Sequence, residues 1–423
     1  MLDIKFIREN KEIINLAAKK KRLKFDVGAL LKSDDERREL MTSIEKKRAE
    51  QNEFGSQIPK MPPGDGKTAL LSQMKMLKDS MQAEEDKLTD VMKHWRKLML
   101  EVPNIPDMSV PEGESDAENK EVHAWGKKPI FDFEPKSHIE LMENLDLADF
   151  TRGAEVSGFR GYFLKNEGVL LEFALWNFAL DFFRQKGFMP MRVPSLVRQE
   201  TLLGSGYLPQ GEDDLYKTQD NEYLAGTAEV ATMSYFADAV LSKNELPKKV
   251  IAFSDSFRRE AGSYGKDTKG LIRVHEFYKL EQVVLCEASH ETSVKFHEEL
   301  LANAEALIQA LELPYRVVVN CSGDLGLGQV KKYDIEAWVP SQKKYVETHS
   351  CSYFHDFQTR RLNIKYKDDD GKTRFAHSLN NTAIATPRIL VQLIENNQLS
   401  DGSVKVPKVL IPYLGTDKIV SKR

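Results

Sequence analysis

The sequence predicts an α+β fold: an antiparallel sheet with helices at its margins, preceded by an N-terminal antiparallel pair of helices forming a coiled-coil arm. Three observations carry this. The first ~100 residues are highly charged, poor in aromatics and striped with apolar residues at four-and-three spacing. A proline- and glycine-rich break divides that stretch in two. From His123 onward aromatics and glycines increase, and alternating runs are followed by helical ones.

In the arm, Leu70, Met74, Leu77, Met81, Leu88, Val91 or Met92, Trp95 and Leu98 form the seam of one helix. The helix before it, over 30–57, carries a weaker stripe of Leu40, Met41, Ile44, Phe54 and Ile58. No helix can cross Pro59-Lys60-Met61-Pro62-Pro63-Gly64-Asp65-Gly66. The pair therefore turns back on itself over some ~45 Å at 1.5 Å per residue. Pro103-Asn104-Ile105-Pro106 ends the arm, and the run to about Lys120 reads as a solvated linker. The expected division is an arm over 1–103, a linker over 104–122 and a sheet body over 123–423.

Within the body, 168–186 predicts a buried helix carrying Val169, Leu170, Phe173, Trp176 and Phe182. Tyr315 to Asn320, Tyr333 to Val339 and Lys344 to Ser352 predict strands of one sheet, and 381–397 an amphipathic helix.

Composition narrows the function. A chain of 423 residues, 41% apolar, holds two or three domains. Its net charge of −4 argues against generic coating of nucleic acid. Residues 1–100 carry 22 Lys and Arg against 17 Asp and Glu, or +5, leaving −9 for the rest. That asymmetry suits local contact with RNA. Cys286, Cys321 and Cys351 include no C-x-x-C pair, which argues against disulfides and a structural zinc site. No run approaches ~18 uninterrupted apolar residues, so no membrane span is expected. The first residues carry acids early and lack the apolar core of a leader, so a reducing cytoplasm is the expected compartment.

The stretch Phe257 to Glu281 is the most informative. It combines an Arg258/Glu260 pair, a glycine-rich loop (Gly262, Gly265, Gly270) and an alternating segment from Ile272. Ile272, Val274, Tyr278 and Leu280 fall on one face of that segment; Arg273, His275, Phe277, Lys279 and Glu281 fall on the other. Two strands joined by such a loop suit a nucleotide: an arginine forks onto phosphate and a phenylalanine stacks on a base.

Phe257 to Glu281 resembles motif 2 of class II aminoacyl-tRNA synthetases, in the form seen in bacterial-type seryl members. Gly187-Phe188-x-Pro190-x-x-x-Pro194 resembles motif 1, the dimer-interface segment. Leu379-Asn380-Asn381-Thr382-Ala383-x-Ala385-x-x-Arg388 resembles motif 3. Thr227-Ala228-Glu229-Val230 and Glu347-Thr348-His349-Ser350-Cys351-Ser352 resemble seryl-type signatures, and the likeness spans essentially the whole chain.

The resemblance implies a class II catalytic domain that activates serine with ATP and transfers it to the 3′ end of serine tRNA, selenocysteine tRNA being left open. It implies Arg258 and Arg388 as catalytic residues. ATP contacts fall to Arg258, Arg259, Glu260, Arg273, Val274, Phe277, Glu347, Thr348, His349, Ser350 and Arg388. Serine contacts fall to Thr227, Ala228, Glu229, Arg258, Glu281, Asn380 and Thr382, with Thr382 supporting a hydroxyl-reading Glu281. Glu347 and Ser350 are implied ligands of Mg2+; a lone Glu-x-x-Ser spacing by itself carries no metal signal. Strand parity also turns Val274 toward the core, whereas the resemblance puts it at the nucleotide. A homodimer through Gly187 to Pro194 and tRNA binding by the arm complete the implied partners, with no membrane. The arm is expected to serve tRNA and not activation.

Two other readings remain open on residues alone. A catalytically silent relative would be expected to have lost some of Arg258, Glu260, Glu281, Glu347 and Arg388, all present here. A ligase that charges a carrier protein would lack the arm.

Overall fold

Local chemistry sets the limits of the long helices. The computed structural model of the chain describes residues 1–262, 265 and 268–421; Ser263, Tyr264, Lys266 and Asp267, within the expected glycine-rich loop, lie outside the described residues. The chain divides into two compact units. One holds Leu2–Lys19 and Leu23–Pro103; the other holds Met1, Lys20–Arg22 and the chain from Asn104 onward.

The first unit is helical: α1 (Ile4–Glu9), α2 (Lys11–Lys20), α3 (Val27–Gln57) and α4 (Asp65–Glu101). Asp26 starts α3 by accepting from the amides of Gly28 and Ala29, filling donors that a helix start leaves empty. Prolines and Gly64 separate α3 from α4. The two run antiparallel, since Arg48 meets Glu85 while Glu36, three turns earlier, meets Lys87. Every residue of the expected α4 seam is half-buried. Met41 departs from the expected stripe and is 39% exposed.

The second unit is built on one eight-stranded sheet. Its strands are β1 (Lys120–Trp125), β2 (Met189–Arg192), β3 (Lys248–Phe257), β4 (Glu276–Cys286), β5 (Tyr315–Val319), β6 (Lys331–Val339), β7 (Lys344–His355) and β8 (His377–Thr386). The order across the sheet is β1-β5-β6-β7-β8-β4-β3-β2, antiparallel except for the edge pair β2/β3. The helices that matter for the site are α5 (Glu167–Gln185), α6 (Ala228–Tyr235), α7 (His290–Ala310) and α8 (Arg388–Asn396). Among the described residues no helix is long and apolar enough to cross a membrane.

Strand parity divides β4 between two apolar clusters. Leu280, Val284 and Cys286 join the larger one with α5, α7 and α8, whereas Val283 and Leu285 face α6. Phe277, Lys279 and Glu281 share the α6 face but lie beyond the part α6 covers, where polar side chains have room for a ligand.

Three expectations shift. The alternating segment forms a strand only from Glu276; 271–275 is irregular, because the carbonyl of Ile272 is taken by Arg388 and that of His275 by Arg258. The expected helix over 381–397 is strand as far as Thr386 and helix only from Arg388, since the centre of the sheet claims the first residues for pairing with β4 and β7. The stretch expected as solvated linker is held by the sheet body. Asn104 is buried, with its side-chain amide donating to the carbonyls of Gly328 and Phe354, and Asn119 accepts from the amide of Cys321.

Candidate active site

Arg258, just after β3, and residues from β4, β7, β8 and α8 converge on one cavity of about 560 Å³. That volume suits a single small ligand or cofactor. At the end of β3 the amide of Arg258 donates to the carbonyl of His275 (2.9 Å). Arg258 Nε donates to the carbonyl of Gly226 (3.3 Å), and the guanidinium lies 5.3 Å from the centre of the Phe277 ring. With Nε spent on a carbonyl and one face against a ring, the Nη pair is the fork offered to a ligand. Glu260, at a backbone φ of +56°, is ion-paired with Arg273 across the loop, and both line the cavity.

Two buried carboxylates close another side. Glu229 accepts from Gln358 Nε2 (2.6 Å) and from the Tyr207 hydroxyl (3.3 Å). Burial pushes its carboxyl up to about 7, the Gln358 bond opposing and the nearby Glu281 adding. Glu281 is ion-paired with Lys279, and Thr227 joins both, accepting from Lys279 Nζ (3.3 Å) and donating to Glu281 Oε2 (3.4 Å). Burial raises the Glu281 carboxyl against the pull of Lys279 and Arg258. Glu281 thus takes its support from Lys279 and Thr227, not from Thr382, which pairs with it only through the backbone register.

Arg388 opens α8 and is fixed by two carbonyls, that of Ile272 on Nε and that of Glu347 on Nη1, each at 3.0 Å. For the Glu347 carboxyl, burial pushes upward, but Arg388, Lys332, Arg258 and Lys279 outweigh it and hold the group below its usual range. Two β-bulges arrange the remaining residues. Strand parity would put Glu347 and Ser350 on opposite faces, but register slips at Thr348, opposite Ile335/Glu336, and both then line the cavity. A second slip at Ala383 lets Asn380 and Thr382 line the cavity together with Ala385.

Most of the expected residues meet there: Arg258, Glu260, Arg273, Val274, Phe277, Glu347, Thr348, Ser350 and Arg388, with Glu229, Glu281, Asn380 and Thr382. Val274 is both largely buried and on the cavity wall, because 271–275 leaves strand geometry. Four do not reach it. Arg259 is exposed and donates to the carbonyl of Asp213. His349 is buried away from the cavity, between the Thr348 hydroxyl (2.8 Å) and the carbonyl of Ala383 (3.0 Å), and burial lowers its pKa to about 4. Ala228 is packed in the apolar cluster beneath α6, and Thr227 acts only through Lys279 and Glu281.

Among the wall residues that had no place in the expected site are Lys279, Lys332, Gln329 and Tyr207. Lys279 shares strand parity with Phe277 and Glu281, a signal present in the sequence. The others reach the cavity from separate segments and carried no local signal. Among the described residues no group of three or more His, Cys, Asp or Glu side chains is placed to hold a metal ion.

Comparison with known proteins agrees with this geometry. Residues 1–106 match the model of the seryl-tRNA synthetase N-terminal domain. Residues 213–397 match that of the class II tRNA synthetase core domain for Gly, His, Pro, Ser and Thr. The chain is 48% identical to the serine–tRNA ligase of Deinococcus radiodurans, over 100% of this chain and 99% of that one. It is 44% identical to the serine–tRNA ligase of Caldicellulosiruptor saccharolyticus, over 99% and 100%. Its fold superposes on the seryl-tRNA synthetase of Pyrococcus horikoshii, solved with ATP, at a TM-score of 0.91 and 40% identity, covering 100% of both chains. The cytoplasmic serine–tRNA ligase of Naegleria fowleri, solved with AMP, gives 0.87 and 31%, over 100% and 99%. With relatives of this identity matched end to end, the chain belongs to the seryl-tRNA synthetase family of class II aminoacyl-tRNA synthetases.

Proposed function

We propose that the chain is an ATP-dependent serine–tRNA ligase working at this cavity. The observation that carries the reading is a single wall where a ring-backed arginine fork, Arg258 on Phe277, adjoins two buried carboxylates, Glu229 and Glu281. A nucleotide places its base on Phe277, with Glu260 and Val274 at its edge, and its phosphates between Arg258, Arg273 and Arg388. The serine ammonium is taken by Glu229 and the hydroxyl by Glu281, beside Asn380 and Thr382. Alanine would bring no hydroxyl to the buried Glu281, which penalises it far more than a lost methyl does.

The serine carboxylate oxygen attacks the α-phosphorus in line and diphosphate leaves. The carboxylate is already ionised near neutrality, so no general base is required. Charge grows on the phosphoryl oxygens, where the Arg258 fork is fixed in advance. The tRNA 3′-hydroxyl then attacks the seryl carbonyl and AMP leaves. Glu347, held ionised, and Ser350 present oxygen donors on one face and fit a Mg2+ ion, which would neutralise phosphate charge there. The arm is the part assigned to serine tRNA. Lys46, Lys60, Lys75 and Lys78 lie exposed along it, whereas Lys47 and Arg48 are engaged by Glu84 and Glu85. A homodimer through α5 and β2, and a reducing cytoplasm suited to three free buried cysteines, complete the reading.

ATP–diphosphate exchange with serine, threonine, alanine and glycine tests it. Serine alone should drive rapid exchange; no exchange, or equal exchange with alanine, overturns it.

A further inference from the structure

Lys21 follows α2 and is 3% exposed. Its ammonium donates to three backbone carbonyls: Gly326 (3.0 Å), Leu327 (3.0 Å) and Gln329 (2.6 Å). Three donors meet three acceptors, so the tetrahedral group is fully used. Asn104 holds the same loop: its amide donates to the Leu327 carbonyl (2.9 Å) and its side chain to that of Gly328 (2.9 Å). Every carbonyl from Gly326 to Gln329 is thus taken by Lys21 or Asn104. Burial alone pulls the Lys21 pKa well down, so the amine sits where only the carbonyls favour its charge.

All four residues of that loop line the cavity. Gly328 is pressed on Phe357, since a Cβ there would stand 2.6 Å from the ring. The next residue, Gln358, is the one that donates to Glu229. Gln329 Nε2 in turn donates to the hydroxyl of Ser352, another wall residue (2.8 Å). The contacts therefore run from Lys21 through the loop to the carboxylate that receives the substrate ammonium. In the chain, Lys21 and Asn104 are also where the helical unit of 23–103 departs and returns.

We propose that Lys21 is a positioning residue for the amino-acid end of the cavity: with Asn104, both in the sheet body at chain positions that flank residues 23–103, it anchors the Gly326–Gln329 wall. The turn at Lys21 then contributes to amino-acid activation. The proposal rests on the reading of the cavity as a serine-activating site.

The test is serine-dependent ATP–diphosphate exchange by the full chain, wild type against Lys21→Met, Lys21→Arg and Asn104→Ala. Lys21→Met keeps the stem and removes the three donors. Its KM for serine should rise about tenfold, with kcat changed less than about threefold and the KM for ATP within about twofold. Lys21→Arg should be nearly as impaired, because a planar fork cannot point at three carbonyls as an ammonium does. Asn104→Ala should shift the serine KM in the same direction and carries the test alone if Lys21→Met does not fold. A serine KM within about twofold of wild type in the folded variants overturns the proposal. So does a fall in kcat with both KM values unchanged, which marks loss of active protein only. A wild type without serine-dependent exchange instead overturns the reading of the cavity.

Discussion

The role proposed for Arg258 rests on what fixes it: a carbonyl on Nε and the Phe277 ring against its plane. Such a group stabilises charge without reorganising as the reaction proceeds, so Arg258→Ala should cost about 3 kcal/mol or more in transition-state stabilisation. Serine-dependent exchange within about tenfold of wild type would contradict the assignment. Glu229 supplies a second prediction. Burial pushes its carboxyl up to about 7, so the empty folded protein keeps a proton that the unfolded chain gives up in the ordinary carboxylate range. Stability should then fall as pH rises from that range to about 7. An ammonium ligand wants the carboxylate, so binding below pH 7 must expel the proton. Serine affinity should improve roughly tenfold from pH 6 to pH 8, and Glu229→Gln should bind weakly with a flat profile. Calorimetric titration of serine at several pH values reads both. Glu281 was legible as a wall residue because residue type and strand parity agree on it, and Arg258 because its type stands at the turn beside the glycine-rich loop. His349 was misplaced because a strand segment gives no sign that its neighbour Thr348 is a bulge.

Among the elements, the helical unit depends on one buried acid. Asp34 of α3 is 1% exposed and takes ion pairs from Arg8 of α1 and Arg37 of its own helix, both at 2.7 Å. Arg37 in turn lies 4.8 Å from the Trp95 ring of α4. Burial pushes the Asp34 carboxyl up, but the two guanidinium groups outweigh it and hold it below its usual value. Its contribution is therefore present above the ordinary aspartate range and lost as pH falls through the lower folded value. Asp34→Ala leaves two cations half-solvated and should cost about 1–3 kcal/mol. Thermal unfolding followed by helical circular dichroism should show an earlier transition, while serine-dependent exchange stays near wild type. An unchanged melting profile would remove Asp34 from that role. The seam of α4 was readable because four-and-three spacing is local, whereas Asp34 carries no periodic mark of its burial.

For the whole molecule, apolar side chains stay exposed on α5 and the edge strand β2: Leu170 and Phe173 are each 52% exposed, and Met189 is 45%. Such a surface favours a second copy of the chain. Phe173→Asp should shift the protein from dimer to monomer in sedimentation; a monomeric wild type, or a dimeric variant, refutes that interface. The edge pair β2/β3 is parallel although the rest of the sheet is antiparallel. The order of strand-like runs gave no sign of it, because pairing direction depends on the path of the chain between strands.

The sequence by itself determined the helical pair and its break, the largely antiparallel body, and the types of several groups that line the cavity. Each depends on a local period or on residue chemistry, which a linear chain displays. Only the tertiary structure decided which of those groups face the cavity and what supports them. The bulges at Thr348 and Ala383 put Glu347 with Ser350, and Asn380 and Thr382 with Ala385, through register between strands distant in the chain. Lys279 became the partner of Glu281, and Asn104 turned from linker to anchor. Lys21 shows the reason most plainly. Its three acceptors lie about three hundred residues away along the chain, and their carbonyls are gathered around one point only once the sheet body has folded.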